Sequence, residues 1–274
     1  MVLGLPVIDE HSSSCEDCIL GKHQRDSFPH SESRVTGQLD LVHTDICGPM
    51  QTPSIGGCFY FLTFIDDFSR KTWVYFLKKK SETFSKFKEF RALVEKQSGK
   101  SVKILRSDGG GEYDSNEFTD YCKQHGIARQ YTTRYTPQQN GVAERKNRTI
   151  MNMARSMLSY KKLSNEYWAE AVACSVYLLN RSPTVSIKNL VPEEAWSGTK
   201  IGVAHLRIFG SVAFAHVPED LRKKLDNKSE KCIFTGYNEQ HKAYKLYNLV
   251  TKKVVVSRDV KFMGDKCWSD LANT

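Results

Sequence analysis

Leu39-Asp40-Leu41-Val42-His43-Thr44-Asp45 is a largely apolar run that ends on an acid, and it reads as a strand carrying a carboxylate to its tip. Two β-rich runs follow, Phe59 to Ile65 and Thr72 to Leu77, and the polar Asp66-Asp67-Phe68-Ser69-Arg70 between them reads as a turn. The three runs predict an antiparallel meander. Next, Ser81 can cap a helix whose Phe84, Phe87, Phe90 and Val94 recur at helical spacing, with Gly99 near its end. Val102 to Arg106 is a fourth strand running straight into Ser107-Asp108-Gly109-Gly110-Gly111. A short helix from Asn116 to His125 closes on Gly126, and Ile127 to Tyr131 makes a fifth strand. The segment from Val142 to Leu158 then shows Val142, Ile150, Met153, Ala154 and Met157 on one face. A further helix, about Asn165 to Arg181, turns Trp168, Ala171, Val172, Leu178 and Leu179 inward. This order predicts an α/β fold, a mixed five-stranded sheet with flanking helices in which acids emerge at strand ends.

Beyond Pro183 the pattern changes to short strands separated by turns: Phe209 to Val217, Lys231 to Thr235, Ala243 to Asn248 and Lys253 to Val260. They predict a small β-barrel-like module. The expected boundaries are 35–200 for the main domain, 201–265 for the β module and 266–274 for a tail. Residues 1–34 are polar and read as the remnant of a region whose beginning lies upstream.

The bulk numbers limit the function classes. The chain has 274 residues, 40% of them hydrophobic, enough for one good-sized core and a smaller one. Lys and Arg outnumber Asp and Glu by 40 to 31, giving a net charge of +9, which favours a polyanionic partner, nucleic acid before membrane. The 8 cysteines are scattered, mostly single within apolar runs, as in a reduced intracellular protein without a disulfide framework. No run approaches the eighteen or so apolar residues of a membrane span, and the N-terminus lacks the pattern of a signal peptide. The expectation is a soluble protein that is neither secreted nor a membrane partner.

Three acids carry the chemistry: Asp45 after the first strand, Asp108 after the fourth, and Glu144 at the start of a helix. Phosphoryl transfer on DNA uses two divalent cations about 4 Å apart, and carboxylates are the hard ligands that Mg²⁺ or Mn²⁺ prefers. Two aspartates on neighbouring strand ends and a glutamate reaching across from a helix can supply that clamp. Asp108 stands before three glycines, which allow close approach of backbone and substrate. Glu144 is the only acid between Arg134 and Lys162, a window that holds 7 bases. A carboxylate in such a field is kept ionised, and the cations suit a DNA backbone. The expected DNA-binding residues are Gln138, Gln139, Asn140, Arg145, Lys146, Arg148 and Arg155. The loop Thr136 to Gly141 has no apolar anchor, so it is expected to move until DNA arrives, with Asn140 as an ordinary helix cap on the blander reading.

His43-Thr44-Asp45-Ile46-Cys47-Gly48-Pro49, Ser107-Asp108-Gly109-Gly110-Gly111-Glu112-Tyr113 and Pro137-Gln138-Gln139-Asn140-Gly141-Val142-Ala143-Glu144-Arg145-Lys146-Asn147-Arg148-Thr149 together resemble the integrase of Copia-type long-terminal-repeat retrotransposons, plant members particularly. The resemblance runs over nearly the whole chain, and 35 residues intervene between Asp108 and Glu144, the spacing of retroviral-type integrases. It implies a ribonuclease H-like core, an SH3-like β module after it, and the joining of element cDNA 3′ ends to target DNA. It puts the metal-ligand role, for two Mg²⁺ or Mn²⁺ ions, on Asp45, Asp108 and Glu144. It further implies double-stranded DNA as partner, a homo-oligomer, and passage from a virus-like particle to the nucleus. Cys15 and Cys18 look like the second half of the family's zinc-binding region, so Zn²⁺ is expected only where the missing upstream histidine pair is supplied. Residues 222–261 hold 11 bases against 4 acids, which suits a DNA-facing module or a solvated basic rim. Two rival readings remain: a ribonuclease H-type nuclease on the same fold, which would usually want an extra acid, and a non-enzymatic, domesticated DNA-binding relic.

Overall fold

The computed structural model describes residues 35–131 and 140–264. Strands β1 (Val42–Cys47), β2 (Tyr60–Asp66), β3 (Thr72–Leu77), β4 (Ile104–Ser107) and β5 (Ala128–Tyr131) form one sheet in the order β3-β2-β1-β4-β5. β1, β2 and β3 pair antiparallel as a meander, whereas β4 and β5 join parallel to β1. The α/β mixed sheet is therefore as the sequence predicts.

Strand alternation sorts β1 into two faces. Val42 packs into a cluster with Leu62, Phe64 and Leu105, roofed by helices α1 (Thr83–Ser98) and α2 (Asn116–Gln124) through Phe87, Phe90, Val94 and Phe118. Asp45 alternates to the opposite face, which helices α3 (Gly141–Tyr160) and α4 (Trp168–Asn180) cover. Ile150, Ala154 and Leu158 of α3 share a second cluster there with Phe61, Tyr167 and Trp168.

Several local expectations are corrected. A 3-10 turn, Lys80–Glu82, precedes α1, so Ser81 is not its cap; the Glu82 carboxylate instead accepts the Lys79 N–H at 3.0 Å. The segment after β2 is a turn, as expected, but its two acids are buried rather than solvated. Asp66 is fully buried and accepts the backbone N–H groups of Leu39 and Ser69, each at 2.8 Å, while Asp67 binds His43 Nε2 at 2.8 Å. The buried stripe of α3 is Ala143, Asn147, Ile150, Ala154 and Leu158, so it includes a polar residue, and Val142, Met153 and Met157 are only half-buried. A short helix α5 (Pro192–Ser197) follows α4 and supplies Trp196 to the first cluster.

The second sheet holds β6 (Val212–His216), β7 (Ser229–Asn238), β8 (Ala243–Asn248), β9 (Lys253–Ser257) and β10 (Val260–Phe262) in the order β10-β6-β7-β8-β9, all antiparallel. The run read as one strand from Lys253 to Val260 is two. Only Arg258 and Asp259 separate β9 from β10, which lie on opposite edges of the sheet, and such a short link requires the sheet to roll up as a barrel. A bulge between Phe234 and Gly236, where Gly236 takes φ 147°, helps the sheet curl. The barrel leans on the main domain: Phe209, Ile233 and Tyr247 enter the second cluster, and Tyr237 stacks on Tyr177 of α4 at 4.0 Å. The five described cysteines are free thiols, and no helix among the described residues is long and apolar enough to cross a membrane.

Candidate active site

Asp45 occupies the fourth position of β1, on the face turned to α3. Thr63, its partner on β2, donates its hydroxyl to Asn147 Oδ1 at 2.9 Å. With its oxygen thus committed, the Asn147 amide points its Nδ2 at Asp45 Oδ2, also at 2.9 Å. Asn147 stands three residues after Glu144 on α3, so helical periodicity brings both to one side of the helix. On the other face of β1, the Thr44 Oγ1 and the Tyr113 hydroxyl lie 3.0 Å apart, and Tyr113 is fully buried. Asn140 donates Nδ2 to the Thr44 carbonyl at 3.3 Å. The strand segment that bears Asp45 is thereby held from both faces.

Asp108 leaves the end of β4 next to β1, and its Oδ1 accepts the Gly110 N–H at 3.3 Å. Asp45 feels the charge of both other acids. Burial pushes the Asp45 carboxyl up from 3.8 to about 6, and the negative charges of Asp108 and Glu144 push the same way against the hydrogen bond from Asn147. Asp108 is also raised, chiefly by burial and then by Glu112, with the Gly110 N–H and Lys80 opposing. Such a group of acids is destabilised by its own charge and relieved by any cation that enters.

Among the described residues, no three acids, imidazoles or thiols converge closely enough to enclose an ion. The donor set still fits a divalent cation by its chemistry: hard carboxylate oxygens, one of them raised by its acidic neighbours.

The remaining predicted residues fall in different places. Cys15, Cys18, Gln138 and Gln139 lie outside the described residues. Asn140 is 1% exposed and engaged with Thr44, so in this structure it is a buried brace; its side chain neither caps α3 nor lies open to a DNA strand. Arg145, Arg148 and Arg155 are exposed on α3, at spacings that place them along one stripe. Lys146 is half-buried, and burial, then the Arg70 guanidinium, holds its ammonium below the usual lysine range. Sequence reading missed Asn147, although its position three residues after Glu144 was a usable signal. It also missed Lys80, 32 residues from its partner Glu112, which no periodicity could reveal.

A mixed sheet of this order, one acid within β1 and another just past the end of the adjacent β4, and a trailing barrel define an integrase-type core followed by an SH3-like module. Comparison with known families agrees: the Integrase core domain matches residues 35–137 and the Retroviral polymerase SH3-like domain residues 211–274. The chain is 52% identical over 248 residues to the Retrovirus-related Pol polyprotein from transposon TNT 1-94 of Nicotiana tabacum, which covers 90% of the chain and 19% of that polyprotein. It is 33% identical over 251 residues to the corresponding polyprotein from transposon RE1 of Arabidopsis thaliana, covering 91% of the chain and 17% of the relative. The chain thus carries matches to both domains, is similar to retrovirus-related Pol polyproteins from transposons, and spans about one-fifth of the curated relatives it matches. In fold it is similar to a chain of the simian T-cell lymphotropic virus intasome in complex with PP2A regulatory subunit B56 gamma, with a TM-score of 0.55 at 15% identity over 91% of this chain and 87% of that one.

Proposed function

We propose that this region is a Copia-type retrotransposon integrase that joins the 3′ ends of element cDNA to target DNA by divalent-cation-dependent strand transfer. The observation that carries the reading is the Asp45 carboxyl, raised to about 6 by burial and by the charges of Asp108 and Glu144. Two acids far away in the chain act on Asp45 across a sheet whose architecture is that of an integrase core.

In this reading Asp45, Asp108 and Glu144 hold two Mg²⁺ or Mn²⁺ ions. When bound, the ions supply activation of the attacking 3′-hydroxyl and stabilisation of the leaving 3′-oxygen. Asn147 keeps the Asp45 carboxylate turned towards the site, and Tyr113 and Asn140 fix the strand beneath it. Arg145, Arg148 and Arg155 hold the DNA backbone, with Lys146 behind them, and Gln138 and Gln139 also contact DNA. The partner is double-stranded DNA, element ends and target together, handled by a homo-oligomer that moves from a virus-like particle to the nucleus. Residues 35–200 form the ribonuclease H-like catalytic domain and 201–265 the SH3-like module, while Cys15 and Cys18 would take Zn²⁺ only where a histidine pair is supplied to them.

A strand-transfer assay with a labelled terminal oligonucleotide and Mg²⁺ tests this. Wild-type protein joins the ends, and Asp45→Asn, Asp108→Asn and Glu144→Gln each abolish joining while DNA affinity persists. Joining at the wild-type rate by any of the three overturns the assignment. One observation favours the second reading, a ribonuclease H-type nuclease: Glu112 lies near enough to Asp108 to raise it, as an extra acid would. Cleavage of an RNA–DNA hybrid in preference to joining identifies that activity.

A further inference from the structure

The turn that carries Asp108 is held at one end and sprung at the other. Beyond the three glycines, Tyr113 is fully buried, its hydroxyl meets Thr44 Oγ1, and Arg129 donates to its carbonyl. That end is therefore fixed to β1 and β5. The Asp108 end has a weaker restraint, the 3.3 Å bond from the Gly110 N–H to its Oδ1. Three glycines in succession leave the backbone between them with few preferences of its own.

Glu112 supplies what the glycines lack. Its carboxylate folds back over Gly110, so closely that a Cβ at that position would stand 2.9 Å from Glu112 Cδ and Oε2. A side chain at position 110 would push the Glu112 carboxylate off this seat. From there Glu112 Oε1 reaches Lys80 Nζ at 3.2 Å, in the 3-10 turn at the head of α1. That turn is itself braced by the Glu82 carboxylate on the Lys79 N–H and by the Thr83 hydroxyl on the Lys80 carbonyl, at 2.6 Å. The Glu112 side chain is 13% exposed and that of Lys80 48%, so the pair is half-sheltered and sits beside Asp108. Without the ammonium, two carboxylates would face each other across a glycine turn that cannot resist their repulsion.

We propose that the Lys80–Glu112 ion pair is a clasp that positions Asp108 for the metal, with Glu112 a positioning residue rather than a ligand. The inference rests on the reading of Asp108 as a metal ligand. It explains why an extra acid can stand at this site without joining the metal cluster: its charge is spent on Lys80. It also explains why the glycine run continues into Glu112 and Tyr113, because the turn needs a seat for one side chain and an anchor for the other.

The test is Mn²⁺ binding to the purified chain, measured by the loss of the free-ion electron paramagnetic resonance signal, so that no turnover is required. Lys80→Met is expected to weaken Mn²⁺ binding about tenfold, the usual consequence of losing a group that orients a ligand, while the metal-free melting temperature stays close to wild type. Lys80→Arg, which keeps charge and reach, retains affinity. The double variant Lys80→Met/Glu112→Gln binds better than Lys80→Met alone, since the uncompensated charge is gone. Wild-type affinity in Lys80→Met, or a double variant as weak as Lys80→Met, overturns the clasp. Loss in Glu112→Gln as severe as in Asp108→Asn also overturns it, because Glu112 is then a ligand. Asp108→Asn serves as reference: if it keeps Mn²⁺ binding, the metal-site reading itself falls, whereas its loss beside an unaffected Lys80→Met condemns the clasp alone.

Discussion

The two faces of the five-stranded sheet are built on opposite plans. On the side of α1 and α2, Phe64, Phe87, Phe90 and Phe118 interlock, with Phe64 and Phe90 stacked at 4.3 Å and the rings of Phe87 and Phe118 tilted against each other at 5.0 Å. On the side of α3, the same strands carry Asp45 and Thr63 against Asn147, a half-buried polar network ending in an acid. Each fully buried aromatic on the first face contributes about 1.5–3 kcal/mol. The second face sets burial of a carboxylate against this gain. One layer stabilises the fold so that the other can hold charge where water is scarce.

Breaking the first layer should have the largest effect on stability. Phe87→Ala removes a fully buried ring that meets both Phe64 and Phe118, and a loss of about 3–5 kcal/mol is expected in chemical denaturation. A loss below about 1 kcal/mol would mean that the aromatic layer is not what sustains the sheet.

Asp45→Asn should do the reverse, stabilising the metal-free protein by roughly 1–3 kcal/mol near neutral pH while eliminating strand transfer. The sign follows from the titration. Asp45 holds its proton up to about 6 in the folded chain but only to 3.8 when unfolded, so its protonated form favours folding below about 4. That contribution disappears as pH rises to about 6. Thermal melts between these limits should show a falling stability that the Asn variant flattens and that Mg²⁺ opposes at the upper end.

Asn147→Ala sharpens the contrast further. It removes the hydrogen bond that lowers Asp45, so the carboxyl should titrate still higher, and about 1–2 kcal/mol of stability should be lost above pH 6. Carbon-13 titration of the Asp45 carboxyl checks the direction, and a downward move contradicts the network. The smallest effect on folding belongs to Arg148→Ala on the exposed stripe, within about 0.5 kcal/mol. Its consequence should appear instead in DNA binding, as a salt dependence shallower by about one unit of slope.

What was legible in the sequence follows the same division. The aromatic layer announced itself through Phe84, Phe87, Phe90 and Val94 at helical spacing, and the meander through alternation. Asp45 and Asp108 stood out because each follows an apolar, β-rich run, although β1 continues two residues past Asp45 to Cys47. The buried polar groups were harder to read, since an Asn in the middle of a helix or two acids in a turn have the composition of a wet surface. Asn147, Asp66 and Asp67 point inward only because particular donors await them: Thr63, the Leu39 and Ser69 backbone, and His43. The barrel strands were found, but not the corner at Arg258-Asp259, because a chain that leaves one edge of a sheet and enters the other keeps its strand-like composition throughout. Six-residue α5 was too short to show a period.

The interleaving of Phe209, Ile233 and Tyr247 with the residues of α4 bears on how this protein can be cut into pieces. Expressed without the barrel, the α/β half would present to water the apolar flank that now receives it. Poor solubility of such a fragment would reflect that bared flank, not damage to the network around Asp45.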